Sequence, residues 1–182
     1  FNIVLTSLND HFLFLCKNLE FSYSNNNHYL SNLCGLLFTA IHLPETSSTN
    51  NAILFSTLEL HSEVDRQFLD DGGNFEGSSG YHRLSLEMVL YSTAALAGLD
   101  NDRIQRIFSV YPDLSQFKSV YYFDLKFDSH ILLNLRDLIS NSLPPISNSF
   151  IRKLRLAASF LQSISLSNGL VPIIGDFDSG RF

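Results

Sequence analysis

The stretch Ala52-Ile53-Leu54-Phe55-Ser56-Thr57-Leu58-Glu59-Leu60-His61-Ser62-Glu63-Val64-Asp65-Arg66-Gln67-Phe68 runs into Asp71-Gly72-Gly73. Leu54, Leu58, His61, Val64 and Phe68 recur at steps of three and four, which lines them up on or near one stripe of a helix. The spacing predicts a helix over residues 52–68, and the acidic pair followed by two glycines stops it.

The same periodicity extends both ways along the chain. Upstream, Val4, Leu5, Leu8, Phe12, Leu15 and Leu19 predict a helix over 3–19. The Asn/Ser-rich residues 22–27 break it and supply capping chemistry for a second helix over 28–43, stopped by Pro44. Residues 45–51 read as a polar loop. Downstream, residues 70–80 hold four glycines and two serines. A long glycine-rich loop between strong helices is a usual place for function.

Further helices follow over 81–96, ending near Gly98, and over 102–110. Residues 112–128 are ambiguous, because Tyr121, Tyr122, Phe123 and Phe127 suit a strand or a packed helix. Helical spacing returns over 130–140 and 148–166, separated by Leu143-Pro144-Pro145, and Asn168-Gly169 closes the last helix. The tail over 171–182 is irregular. Helices of similar length joined in pairs by loops point to an all-α array of paired antiparallel helices, either an open solenoid or a closed toroid.

Composition narrows the functions available. With 182 residues, 45% of them hydrophobic and 16 Phe and 7 Tyr among them, one domain with a real core is expected. Twelve basic against 18 acidic residues give a net charge of −6, so no overall field gathers nucleic acid or another polyanion. Any anionic ligand must be held by local groups. No apolar run reaches the roughly 20 residues that span a bilayer, and neither nucleic acid nor a membrane is expected as a partner. Cys16 and Cys34 lie in apolar helical surroundings and read as buried free thiols. The chain opens at Phe1 inside a helical pattern and closes on Gly180-Arg181-Phe182, so we expect a piece of a longer protein.

Three constellations carry chemistry. Asn27-His28-Tyr29 stands at the mouth of the second helix. There Asn27 is either a helix cap or, with His28 and the positive helix end, a site for a carboxylate. The stretch from Asp70 to Arg83 packs acids, an amide, a phenol, an imidazole and a guanidinium into one loop and helix start. The third, Gly175-Asp176-Phe177-Asp178-Ser179-Gly180-Arg181, has Asp-x-Asp but lacks the remaining ligand positions of an EF-hand, and reads as a turn. The six histidines form no close metal-ligand pair, His42 and His61 read as packed residues, and no cofactor motif is present.

Together, Asn27-His28-Tyr29-Leu30, Gln67-Phe68-Leu69, Asp71-Gly72-Gly73-Asn74-Phe75-Glu76-Gly77-Ser78, Tyr81-His82-Arg83 and Gly175-Asp176-Phe177-Asp178 resemble the heparinase II/III and alginate lyase superfamily. The resemblance runs from about Leu13 to Phe182, and its most specific part is the stretch from Asp71 to Arg83. It implies an incomplete (α/α) toroid, of which residues 1–170 would be an N-terminally truncated part. Residues 171–182 would lead toward a C-terminal β-sandwich of the parent chain that contributes a further catalytic His or Tyr.

The implied activity is β-elimination on a uronate-containing polysaccharide, without a cofactor, in the bacterial periplasm or outside the cell. By position in the family motif, Asn27 and His28 would offset the substrate carboxylate and Tyr81 would be the acid/base. His82 and Arg83 would support it or touch substrate, though a helix turns by about 100° per residue and all three cannot face one spot. Glu76 would hold the loop through its backbone or orient a sugar hydroxyl. Two other readings stand beside this one. The first is a non-catalytic helical module binding glycan or protein through Tyr121, Tyr122, Phe123 and Phe127. The second is a hydrolase pairing Glu76 with Asp70 or Asp71.

Overall fold

Short polar side chains set where each helix begins. A computed structural model describes residues 2–121 and 146–176, and in it the helices are α1 (Asn2–Lys17), α2 (Asn27–His42), α3 (Ser47–Gln67), α4 (Ser79–Ala97), α5 (Asn101–Phe108) and α6 (Asn148–Ile164). Asn26, Thr46, Ser78, Asp100 and Ser147 stand immediately before α2 to α6, and each side chain accepts a backbone N–H of the first turn.

At Thr46 the bond is reciprocal, since Thr49 accepts the Thr46 N–H while Thr46 accepts that of Thr49. This box starts α3 at Ser47, inside the stretch expected to be a polar loop, because capping outweighs the weak helix preference of Ser47 to Asn51. Among the described residues a 3-10 turn occupies Leu114–Gln116, and pairing of extended backbone is limited to the isolated bridges Leu19–Ser119 and Phe68–Asn74. The class is all-α, as the periodicity predicts. The expected helix over 130–140, the Pro144-Pro145 break, Tyr122, Phe123, Phe127 and Asp178 lie outside the described residues.

Helix α3 is the axis of the packing. Every residue over 52–60 is buried, and α2, α5 and α6 all lean on it, while α2 is also covered by α1 and α4. Leu54, Leu58, Val64 and Phe68 of the predicted stripe are buried as expected, together with Leu30, Leu33, Leu36 and Leu37 of α2. Each such side chain contributes roughly 1.5–3 kcal/mol relative to leaving it in water.

The start of α2 meets the end of α3, with Tyr29 bonded to Glu59 and Asn25 to Glu63, so the two helices are antiparallel. At the other end of α2, Arg103 of α5 donates to the carbonyls of Ala40 and Ile41, closing the last turn. His61 stacks on Phe150 and is half-buried, as read from the stripe. His42 is instead exposed, its ring stacked on Phe38 one turn earlier. Cys16 and Cys34 are buried free thiols, and burial pushes Cys34 up to about 12.

The glycine-rich loop is clamped from two directions. Gly72, at φ +90°, packs so close to α6 that a Cβ there would stand 2.2 Å from the Leu156 carbonyl oxygen. Lys153 of α6 donates to the Phe68 carbonyl at 2.7 Å. On the far side the segment over 172–176 crosses the beginning of α4. Ser79 N–H donates to Ile174 O, Ser79 Oγ to Pro172 O, and Ser78 Oγ to Asp176 O.

Candidate functional site

Four asparagine and histidine side chains, from Asn25 to His28, stand where α2 begins, and each takes a separate task. Asn26 is the N-cap, accepting the His28 N–H at 3.0 Å. The cap role that the sequence left open for Asn27 therefore belongs to its neighbour. Asn27 is the first helical residue, with an unpaired first-turn N–H and a free amide. Both are met by Glu76: the backbone N–H of Asn27 donates to Oε1 at 3.1 Å, and its Nδ2 lies 3.2 Å from Oε1 and 2.9 Å from Oε2. A carboxylate at a helix N-terminus is also favoured by the helix dipole.

Glu76 is carried by a tightly specified loop. Leu69 and Gly73 pair at 2.8 Å, Phe75 N–H donates to Gln67 O, and Asn74 Oδ1 accepts the Glu76 N–H at 3.0 Å. Two residues on, Ser78 caps α4 by accepting the Tyr81 N–H at 3.1 Å. The Asn27-His28 and Tyr81-His82-Arg83 stretches thus stand at the same end of the helical array, joined through Glu76. Tyr81 is half-buried.

His82 turns the other way. It is 1% exposed, Nε2 sits 3.0 Å from the Ala157 carbonyl, and its ring packs between Phe68 and Phe160. Burial lowers its pKa, favouring the neutral ring. The expected substrate contact from His82 does not fit this placement: it is a core residue that fastens α4 to α6, because one step along a helix rotates the side chain by about 100°. Arg83 is half-buried and lies 3.9 Å from Glu87 one turn along.

His28 is exposed at 61% of its side chain, and its Nδ1 lies 3.0 Å from Glu20 Oε2. The same carboxylate oxygen accepts from the Tyr121 hydroxyl at 3.3 Å, and its charge raises the tyrosine pKa. Neither Glu20 nor the Tyr121 contact was anticipated.

Also unanticipated is the ladder Glu59, Glu63 and Gln67, one helical turn apart on the face of α3 turned to the start of α2. Glu63 is fully buried. It accepts from Asn25 Nδ2 at 2.9 Å and from Gln67 Nε2 at 2.8 Å, and pairs with Arg66 at 3.1 Å. Gln67 also donates to the Asn26 carbonyl. Glu59 and Glu63, spaced by four within the helical pattern, were the available signal.

Asp70 is exposed and sits 3.4 Å from Lys153, while Asp71 accepts the Gly73 N–H. No group of three or more metal-ligating side chains occurs among the described residues.

A model of the heparinase II/III N-terminus matches residues 2–129. The chain belongs to the heparinase II/III family. That span covers most of the chain and contains the Asn27 and Tyr81 stretches, and it bears out the resemblance they carry. Membership places the chain in a family of polysaccharide lyases. No curated protein and no solved structure matches it.

Proposed function

We propose that this heparinase II/III family chain supplies part of the active site of a lyase that cleaves uronate-containing polysaccharides by β-elimination. The observation that carries this reading is the direct tie between Asn27 and Glu76, which brings the two motif stretches to one end of the array.

The chemistry accounts for the residue types. The C5 proton beside a uronate carboxylate is too weakly acidic while that group is fully charged, so hydrogen-bond donors must take up charge as the carbanion develops. Asn27 and His28 are donors of that kind at a positive helix end. A base then removes the C5 proton, the C5 electron pair forms the C4–C5 double bond, the C4–O4 bond breaks, and a proton is delivered to O4. A phenol within hydrogen-bond reach serves in either proton transfer, and Tyr81 is the candidate. Arg83 is a candidate contact to the polymer, and the parent chain's β-sandwich would complete the cleft.

The test follows ultraviolet absorbance of the unsaturated uronate with full-length protein and a panel of uronic-acid polymers. Absorbance should rise with one of them and be lost in Tyr81→Phe. Retained glycan binding with no absorbance on any polymer would favour a binding module instead. Tyr121, the described member of that reading's aromatic group, bonds to Glu20 beside His28, which ties it to the same site.

A further inference from the structure

Glu76 was expected to hold its loop or to orient a sugar hydroxyl, but its carboxylate is spent on Asn27. It takes the backbone N–H and faces the side-chain amide with both oxygens. The two N–H bonds of an amide nitrogen splay by about 120°, so one carboxylate facing Nδ2 engages one of them and leaves the other for a ligand. An Asn amide is otherwise free to rotate and to exchange its donor and acceptor ends. A carboxylate accepts only, so it forces the NH2 end toward itself and fixes which way the amide points.

Asn74 holds Glu76 in turn, since its Oδ1 accepts the Glu76 N–H and its carbonyl accepts the Gly77 N–H.

We propose that Glu76 is a positioning residue: it locks the Asn27 carboxamide in the orientation that presents an N–H to the substrate carboxylate, and does not touch the substrate. The proposal rests on the lyase reading above. Glutamine cannot reproduce the lock. It offers one acceptor in place of two, and its own NH2 can bond the Asn27 oxygen and turn the amide round.

The experiment compares full-length wild type, Glu76→Gln, Asn27→Ala and the double variant, with kcat and KM read from uronate absorbance on the polymer the wild type cleaves. Glu76→Gln should lower kcat by about 10- to 100-fold, the scale of a misplaced donor, with a small change in KM. Asn27→Ala should cost at least as much, and adding Glu76→Gln to it should cost nothing further. The side-chain amide resonances of Asn27 should also move in Glu76→Gln.

Losses that multiply in the double variant, full activity in Glu76→Gln, or an unmoved Asn27 amide would each overturn the proposal. Should Asn27→Ala be harmless while Glu76→Gln is not, Glu76 acts directly and positioning is wrong although the lyase reading survives. A wild type that eliminates no uronate polymer ends the lyase reading and this proposal together.

Discussion

Glu59 shows how one residue ties the core to pH. It is 5% exposed, its Oε2 accepts the Tyr29 hydroxyl at 2.7 Å, and Glu63 lies one turn further along α3. Loss of solvent, the largest influence, raises its pKa from 4.5 to about 7, against the opposing pull of the Tyr29 bond. Between those two values the folded state keeps a proton that the unfolded chain has released. Stability from this group is therefore full below the unfolded value and is lost as pH rises through the folded one, a change on the order of 3 kcal/mol. Glu59→Gln keeps an acceptor for Tyr29 and carries no charge. It should melt at a higher temperature than wild type at about pH 8 and differ little at about pH 5. Thermal melts of both proteins at the two pH values check this, and an unchanged pH slope in the variant would show that Glu59 is not the group responsible. Its burial was not legible from spacing, since burial of a helix acid depends on which helices surround it.

The loop from Leu69 to Ser78 shows the same division at the level of elements. Its glycine content and its motif were legible, as was its place between two helices. Its docking was not, because the contacts come from α6 and from residues 172–176, far away in the chain. Two of its glycines make a controlled comparison. Gly72 and Gly77 both have positive φ, but a Cβ at Gly72 would strike the Leu156 carbonyl whereas nothing lies within 4 Å of one at Gly77. Gly77→Ala should cost about 1–2 kcal/mol, the strain of a left-handed L-residue alone. Gly72→Ala carries that strain and also pushes the loop off α6, for a loss of about 3 kcal/mol or more. Denaturant melts of the two variants measure the difference, and equal losses would mean that α6 does not hold the loop as described. The start of α3 illustrates the reverse case, a local signal read too weakly: the Thr46–Thr49 box lies wholly within the sequence, but polar residues behind a cap resemble a loop until the bonds are drawn.

For the molecule as a whole, α3 is enclosed by α2, α5 and α6, and its stretch over 52–60 has no exposed residue. Amides there can exchange only through large-scale opening, so they should be the slowest in the chain. Those of α5 and of residues 166–176 should be among the fastest. Hydrogen exchange followed by mass spectrometry or NMR reads this order, and fast exchange over 52–60 would contradict a central α3. The paired arrangement follows from short connections between apolar helices. It is also what places the starts of α2 and α4 at one end, where Glu76 joins them.

The sequence by itself determined the all-α class, most helix positions and the family, because those rest on periodicity, caps and a motif, all of which are local. Tertiary structure alone decided that Glu76 faces Asn27, that His82 points inward, and that Glu59 and Glu63 are buried where the start of α2 meets α3. Each of these pairs residues tens of positions apart or turns on which side of a helix meets its neighbours, and that is set only when the helices pack.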